Sequence, residues 1–341
     1  MGLLERLLVA SRALWFYLGE LLWPAHLAFS YPRWTITISD PRAYVSLAAL
    51  IALGGTIWRL RRRMGRGVEV AAIFFAATLF PVLGFIMLYT FMYSFVADHY
   101  QYLACIGPIA LAAAGIVKGL ARVAPGKGSL QVVLSAALLV TLGGLTWKQC
   151  GMYANDGALW QTTLQRYPNC WLAQGNLGKW LLEKEQFDEA IVHFQKALDL
   201  DPNDAGLHQY LGICQLQSGR YAEAISQFQL GLQIEPTNGG LLNNLAWILA
   251  TCPEASLRNG NKALDLARQA NGLAGGRNPV LLGTLAAALA ETGRYSEAVE
   301  SAQRAVHLSE AQSNDRQVAR LQTQMKFYQN GSAFHSPAQG R

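Results

Sequence analysis

The 341 residues are 52% hydrophobic and only 15% Asp, Glu, Lys and Arg, against roughly a quarter charged in an ordinary soluble protein. The formal net charge of +6 sits in short clusters between apolar runs; that pattern orients membrane proteins and argues against a nucleic-acid binder, for which a basic stripe with interleaved aromatics is expected. The cysteines Cys105, Cys150, Cys170, Cys214 and Cys252 form no CxxC or metal-ligand spacing, so they read as buried helical thiols, with a Cys150–Cys170 bridge as the alternative in an oxidising compartment.

In chain order, residues 1–12 place Leu3, Leu4, Leu7 and Leu8 at helical spacing among charges. This predicts an amphipathic helix rather than a cleaved signal peptide. Five apolar segments follow. Residues 13–31 carry Glu20, Pro24 and His26 and are expected to span, re-enter or lie at the interface. Trp15, Tyr17, Trp23, Tyr31 and Trp34 would form the headgroup-level belt. Residues 45–58, extended at both ends, stop in Arg59, Arg61, Arg62, Arg63 and Arg66, which reads as cytoplasmic. Residues 68–96 are long enough to kink at Pro81. Residues 103–117 end in Lys118, Arg122 and Lys127, again cytoplasmic, and residues 130–147 form the last segment. Alternation puts residues 35–42, the link 97–102 and everything after the fifth segment on the outer face.

The link Asp98-His99-Tyr100-Gln101-Tyr102 gathers an acid, an imidazole and two phenols at the outer boundary. Ionisable groups at such depth are costly unless paired or hydrated. Asp98, His99, Tyr100 and Tyr102, with Arg33, are therefore candidate ligands for a lipid phosphate or a sugar; the alternative reading is an interfacial anchor.

After residue 150 the pattern changes. Residues 156–167, with Trp160 and closed by Pro168, read as half a repeat. Leu177-Gly178, Ala190, Phe194, Ala197 and Pro202 return 34 residues later as Leu211-Gly212, Ala224, Phe228, Gly231 and Pro236. That period is the tetratricopeptide signature. Full repeats are expected at 171–204 and 205–238, an irregular one at 239–278 with an extended turn at 252–261, and a fourth at 279–312. A capping helix follows to 328, then a loose tail, 329–341. The first helices of such repeats line a groove. Asn176, Lys179, Trp180, Gln209, Tyr210, Asn244 and Trp247 fall there by register and are the candidate contacts for a protein or extended peptide. His193, His208 and His307 are scattered, so no metal site is predicted. No P-loop, dinucleotide fingerprint or nucleophile elbow is present, no catalytic residue is identified and no cofactor is implied.

The fold class expected is therefore all-α: a multi-span helical membrane domain over 1–150, followed by a tetratricopeptide α-solenoid over 151–328. The protein is expected to be multi-pass in a bacterial inner membrane, with its repeats on the periplasmic or extracytoplasmic side. Two stretches, Tyr31-Pro32-Arg33-Trp34 and Ala97 to Leu103, together with Asn243-Asn244-Leu245-Ala246-Trp247, give the chain a further resemblance. It is similar to the C-terminal part of the transmembrane and tetratricopeptide-repeat O-mannosyltransferases, of the GT-C type. That resemblance implies transfer of a sugar from a polyprenyl-phosphate donor to Ser or Thr hydroxyls. Arg33 and the 98–102 link would seat the donor, and a further N-terminal half would supply the catalytic acidic pair, since Asp40 is isolated and Asp98 has no carboxylate neighbour. The function expected first is a membrane-anchored interaction scaffold, the C-terminal portion of a glycosyltransferase-like protein; the alternative is the O-glycosyltransferase itself, active only with that N-terminal half.

Overall fold

The computed structural model describes residues 2–24, 27–86, 91, 94–123, 125–126 and 128–337. Regular structure among them is entirely helical, and the chain divides into two compact units, Met1–Ala173 and Gln174–Arg341.

The first unit opens with α1, Leu3–Leu22. Sequence reading divides this stretch into a surface helix and a separate apolar segment, 13–31. It is one helix, and it ends at Trp23, immediately before Pro24, whose ring cannot continue it. Leu8, Val9, Ala13 and Tyr17 are fully buried, and the polar residues beside them are matched by distant parts of the chain. Arg6 Nη1 donates to the Phe85 carbonyl at 2.7 Å, Trp15 Nε1 to the Ser46 carbonyl at 2.9 Å, and the Ser11 and Ser46 hydroxyls lie 2.9 Å apart. These partners, 31 to 79 residues away, let a helix carrying charges form a core.

Helix α2, Val45–Met64, follows a 3₁₀ turn at Pro41–Tyr44 and ends in Arg61, Arg62 and Arg63. Gly65, at φ +80°, reverses the chain into α3, Arg66–Leu79. The continuous segment expected over 68–96 does not form. The helix stops before Pro81 in a 3₁₀ turn, Phe80–Val82, and its 14 residues rise about 21 Å, short of the ~30 Å hydrocarbon layer. The described part of 83–105 consists of turns and short 3₁₀ segments, including Asp98–Gln101, so residues 97–102 are not a tight link between two spans.

Helices α4, Ile106–Val123, and α5, Gly128–Cys150, come next. Gly107 lets α4 press against α3, for a Cβ there would sit 3.1 Å from the Ala71 carbonyl oxygen. Where the sequence predicts five membrane segments, three helices among the described residues are long and apolar enough to cross a membrane: Pro41–Arg63, Ile106–Val123 and Gly128–Tyr153. Helix α6, Asp156–Arg166, is capped by the Asn155 side chain, which accepts from the Ala158 amide. Its Trp160 meets Phe29 edge-on at 5.4 Å.

The second unit is an all-α tetratricopeptide solenoid built from helix pairs. These are α7 (Trp171–Glu183) with α8 (Phe187–Leu200), α9 (Ala205–Gln217) with α10 (Tyr221–Ile234), α11 (Gly239–Thr251) with α12 (Gly260–Leu273), and α13 (Pro279–Glu291) with α14 (Tyr295–Ala311). Helix α15, Asp315–Gln329, closes the array. In the first two pairs the helices touch through a glycine and a phenylalanine. A Cβ at Gly178 would lie 2.9 Å from the Phe194 ring, and one at Gly212 2.5 Å from Phe228. Asp204, Asn238, Asn259, Asn278 and Asn314 cap the helices that follow them, satisfying amides that a helix start leaves open.

Candidate functional site

In the first unit, Asp98 turns inward. The Tyr31 hydroxyl donates to its Oδ1 at 2.6 Å and itself accepts the Ala28 amide at 3.0 Å. Burial raises the Asp98 carboxyl above its ordinary range, opposed by the Tyr31 hydrogen bond and by the charges of His99 and Arg166. The Tyr31 phenol is pushed up by burial and by its bond to Asp98. The ring of Tyr31 packs edge-on against Phe16 and Tyr167 at 4.8 and 5.4 Å. Asp98 is thus the acceptor that fixes a buried phenol, and an already satisfied carboxylate is a poor seat for a phosphate.

The other residues named for that site do not converge with it. His99 and Tyr102 are exposed, and the His99 ring lies edge-on to Tyr100 at 4.6 Å. Tyr100 packs among apolar neighbours. Arg33 lies over the Phe95 ring at 5.1 Å, in a hollow with Glu5, Val9 and Trp34. A larger cavity, of about 660 Å³, is lined instead by Arg12, Trp15, Asp40, Arg42 and Ser46, none of which the sequence singled out for binding. The spacing of Arg12 and Arg42, 30 residues apart, is invisible to a local motif.

In the second unit the groove residues separate into an open and a covered group. At the N-terminal end, Lys179 Nζ sits 4.8 Å over the Tyr210 ring, and Tyr210 stacks on Phe194 at 5.7 Å with 10° between planes. Lys184 Nζ lies 5.9 Å over Trp180. Lys179, Trp180, Tyr210, Asn176 and Asn244 are half-buried, so part of each side chain reaches the surface. Gln209 packs at Gly240, where a Cβ would meet its amide nitrogen at 2.8 Å.

Trp247 differs. Arg320 lies 4.8 Å over its ring, and Phe334 of the C-terminal tail packs 6.3 Å away. The tail that composition marks as loose folds back as far as Ser336, whose amide donates to the Thr251 carbonyl at 2.8 Å. Sequence reasoning missed Arg320, Phe334, His335 and Ser336, because nothing local pairs them with α11 or, for His335, with Glu291 of α13.

No group of three or more His, Cys, Asp or Glu suited to a metal occurs among the described residues. His193 and His208 each face a glutamine, Gln174 and Gln227, at 2.6 and 2.8 Å. The five cysteines are free thiols, and Cys150 is exposed while Cys170 is buried. Burial pushes the Cys214 thiol up to about 12.

A tetratricopeptide-repeat family profile matches residues 181–248, and no curated protein matches the chain. Among solved structures, MamA is 17% identical, with 49% of this chain and 94% of its own covered and a TM-score of 0.41. A thermophilic tetratricopeptide protein of Thermus thermophilus is 18% identical over 53% of this chain and 94% of its own, with a TM-score of 0.41. YrrB, described as a tetratricopeptide protein with an unusual peptide-binding site, is 15% identical over 61% and 97%, with a TM-score of 0.40. These findings overturn the resemblance to the O-mannosyltransferases: what matches is the repeat, and no relationship to a glycosyltransferase appears. The residues behind the repeat half of that resemblance include Leu245 and Ala246, which are buried in the array's core. They report packing, not a reaction.

Proposed function

We propose that the chain is a membrane-anchored adaptor that captures an extended protein segment in its repeat groove. The repeat array is an interaction scaffold. The observation that carries the peptide reading is the row of half-buried side chains on the first helices of successive pairs, Asn176, Lys179, Trp180, Tyr210 and Asn244. Each is half-buried, so part of every one of these side chains reaches the surface. A cation held over a stacked aromatic pair, Lys179 on Tyr210 on Phe194, offers a preorganised positive and aromatic surface. It suits a segment with acidic and apolar residues.

Anchoring rests on α2, α4 and α5, long apolar helices in which, among the described residues, 0% of each candidate span is buried. The exposed side chains of Arg33, His99 and Tyr102 are suited to contact lipid headgroups at the interface, where aromatic and cationic anchors concentrate. Asp98 is a positioning residue for Tyr31 in this reading.

The groove is tested by placing a photo-crosslinking side chain at Asn244 in the full-length chain in native membranes. Adducts are expected, and Lys179→Glu with Tyr210→Ala should reduce them about ten-fold or more, the loss of one or two central contacts. Adducts of unchanged yield in that double variant would reject the groove as the binding surface.

A further inference from the structure

At its C-terminal end the groove already holds a peptide, and the peptide is the chain itself. Helix α15 closes in a two-bond turn. Gly331, at φ +68°, donates to the Tyr328 carbonyl at 3.0 Å, and Ser332 donates to the Phe327 carbonyl at 3.0 Å. This is the glycine-terminated helix end that reverses a chain sharply. It sends residues 332–337 back across the array in non-helical conformation.

The side chains then alternate. Phe334 packs against Trp247 of α11 and edge-on, at 5.5 Å, against Phe327 of α15. His335 Nε2 faces the other way, 2.8 Å from Glu291 Oε2 of α13. Ser336 returns to α11, with its hydroxyl 3.4 Å from Thr251 Oγ1. Period-two alternation is how an extended segment reads two walls at once.

The backbone bond is the more telling one. The last four carbonyls of a helix have no partner within it. At the end of α11, the Ile248 carbonyl takes the Cys252 amide at 3.0 Å and the Leu249 carbonyl takes the Asn259 amide at 2.9 Å. The Thr251 carbonyl is left to the Ser336 amide at 2.8 Å. Glu291 is similarly prepared: its Oε1 accepts Arg258 Nε at 2.9 Å, which leaves Oε2 aimed at His335. A cavity of about 390 Å³ beside the tail is lined by Trp247, Arg320, Thr323, Gln324, Phe334 and Ser336.

We infer that the α11–α15 end of the groove is a recognition site for an extended segment of aromatic–histidine–serine character, and that Phe334-His335-Ser336 occupies it as the chain's own internal ligand. This rests on the groove reading above and deepens it. An outside segment that uses this end must displace the tail, and the tethered tail competes at the millimolar effective concentration of a short linker. Among the described residues, the tail up to residue 337 makes its contacts at the α11–α15 end.

The test uses the full-length chain in detergent micelles and a fluorescent peptide with the sequence of residues 330–337. Wild type should bind it weakly. Phe334→Ala, which frees the site, should bind it about ten-fold tighter or more, and adding Trp247→Ala should abolish the gain. The same peptide carrying alanine for phenylalanine should fail on the Phe334→Ala chain, a control that leaves the protein's fold untouched. Equal binding to wild type and Phe334→Ala, no binding to either, or binding that survives both the Trp247→Ala change and the peptide control, overturns the inference. Failure here with crosslinking at Asn244 intact would reject the tail as ligand and leave the groove reading standing; loss of both would reject the groove.

Discussion

Residue-scale features of the repeat array follow from a collision. Gly178 and Gly212 are glycines because Phe194 and Phe228 occupy the volume a side chain would need. Both rings are fully buried and cannot swing out. Gly212→Ala is therefore expected to destabilise the array by about 1–3 kcal/mol through overpacking, read as a lower unfolding midpoint of the full chain in detergent. The opposite sign is expected one position type away. Gly219, at φ +73°, turns α9 into α10, and Glu185 stands at the same place one repeat earlier with φ +61°. A left-handed backbone costs a non-glycine residue about 1 kcal/mol. Glu185→Gly should raise the midpoint, and a lower one would mean that the glutamate side chain makes up for its backbone. The glycine–phenylalanine pairing was legible in the sequence because the 34-residue period aligns Gly178 with Gly212 and Phe194 with Phe228, whereas the left-handed backbone at Glu185 shows only in the fold. Nor was the cover over Trp247 legible, since Phe334 lies 87 residues away with no pattern linking the two.

Elements were read well where local periodicity decides them and poorly where distant partners do. The helix pairs of the array follow the repeat. Helix α1 does not: its charged start, 1–12, reads as separate from the aromatic segment that follows, whereas Phe85 and Ser46 supply the hydrogen bonds of Arg6, Ser11 and Trp15 within one buried helix. Helix α3 was overextended for a different reason, because apolar composition continues through Pro81 while the helix cannot. The irregular third repeat shows how an insertion is tolerated. Arg258 donates Nη1 to the Cys252 carbonyl and Nε to Glu291, each at 2.9 Å, tying both ends of the long turn to α13. Its guanidinium and the Glu291 carboxylate are largely buried, at 17% and 16% exposure. Arg258→Ala would leave that carboxylate short of a partner and cost about 3 kcal/mol. Arg258→Lys should restore little, since an ammonium cannot reproduce the forked geometry. Thermal unfolding of the two variants checks this, and full rescue by lysine would mean that charge alone matters there.

At the scale of the whole molecule, orientation turns on the α4–α5 hairpin and not on a count of spans. The expectation of five segments places the repeats outside by alternation, and α3 by itself, at 14 residues, is shorter than a span. The hairpin supplies a simpler argument. Lys118 and Arg122 lie at the end of α4, beside the turn into α5, and cationic residues next to a span favour the cytoplasmic side. Helix α5, at 23 residues, is about 34 Å long, enough to carry the chain back across. Residue 154 should then lie on the outer face if the hairpin's own charges set its orientation, and on the cytoplasmic side if Arg61, Arg62 and Arg63 at the end of α2 set it with α3 not crossing. In a variant with the native cysteines replaced, Ala154→Cys should react with an impermeant maleimide on intact spheroplasts, and Val123→Cys should react only after lysis. Exchanging Lys118 and Arg122 for glutamate removes the positive signal and should lower labelling at 154. The reverse pattern, with 123 labelled and 154 protected, would place the groove and its tethered tail in the cytoplasm and direct the search for a binding segment there.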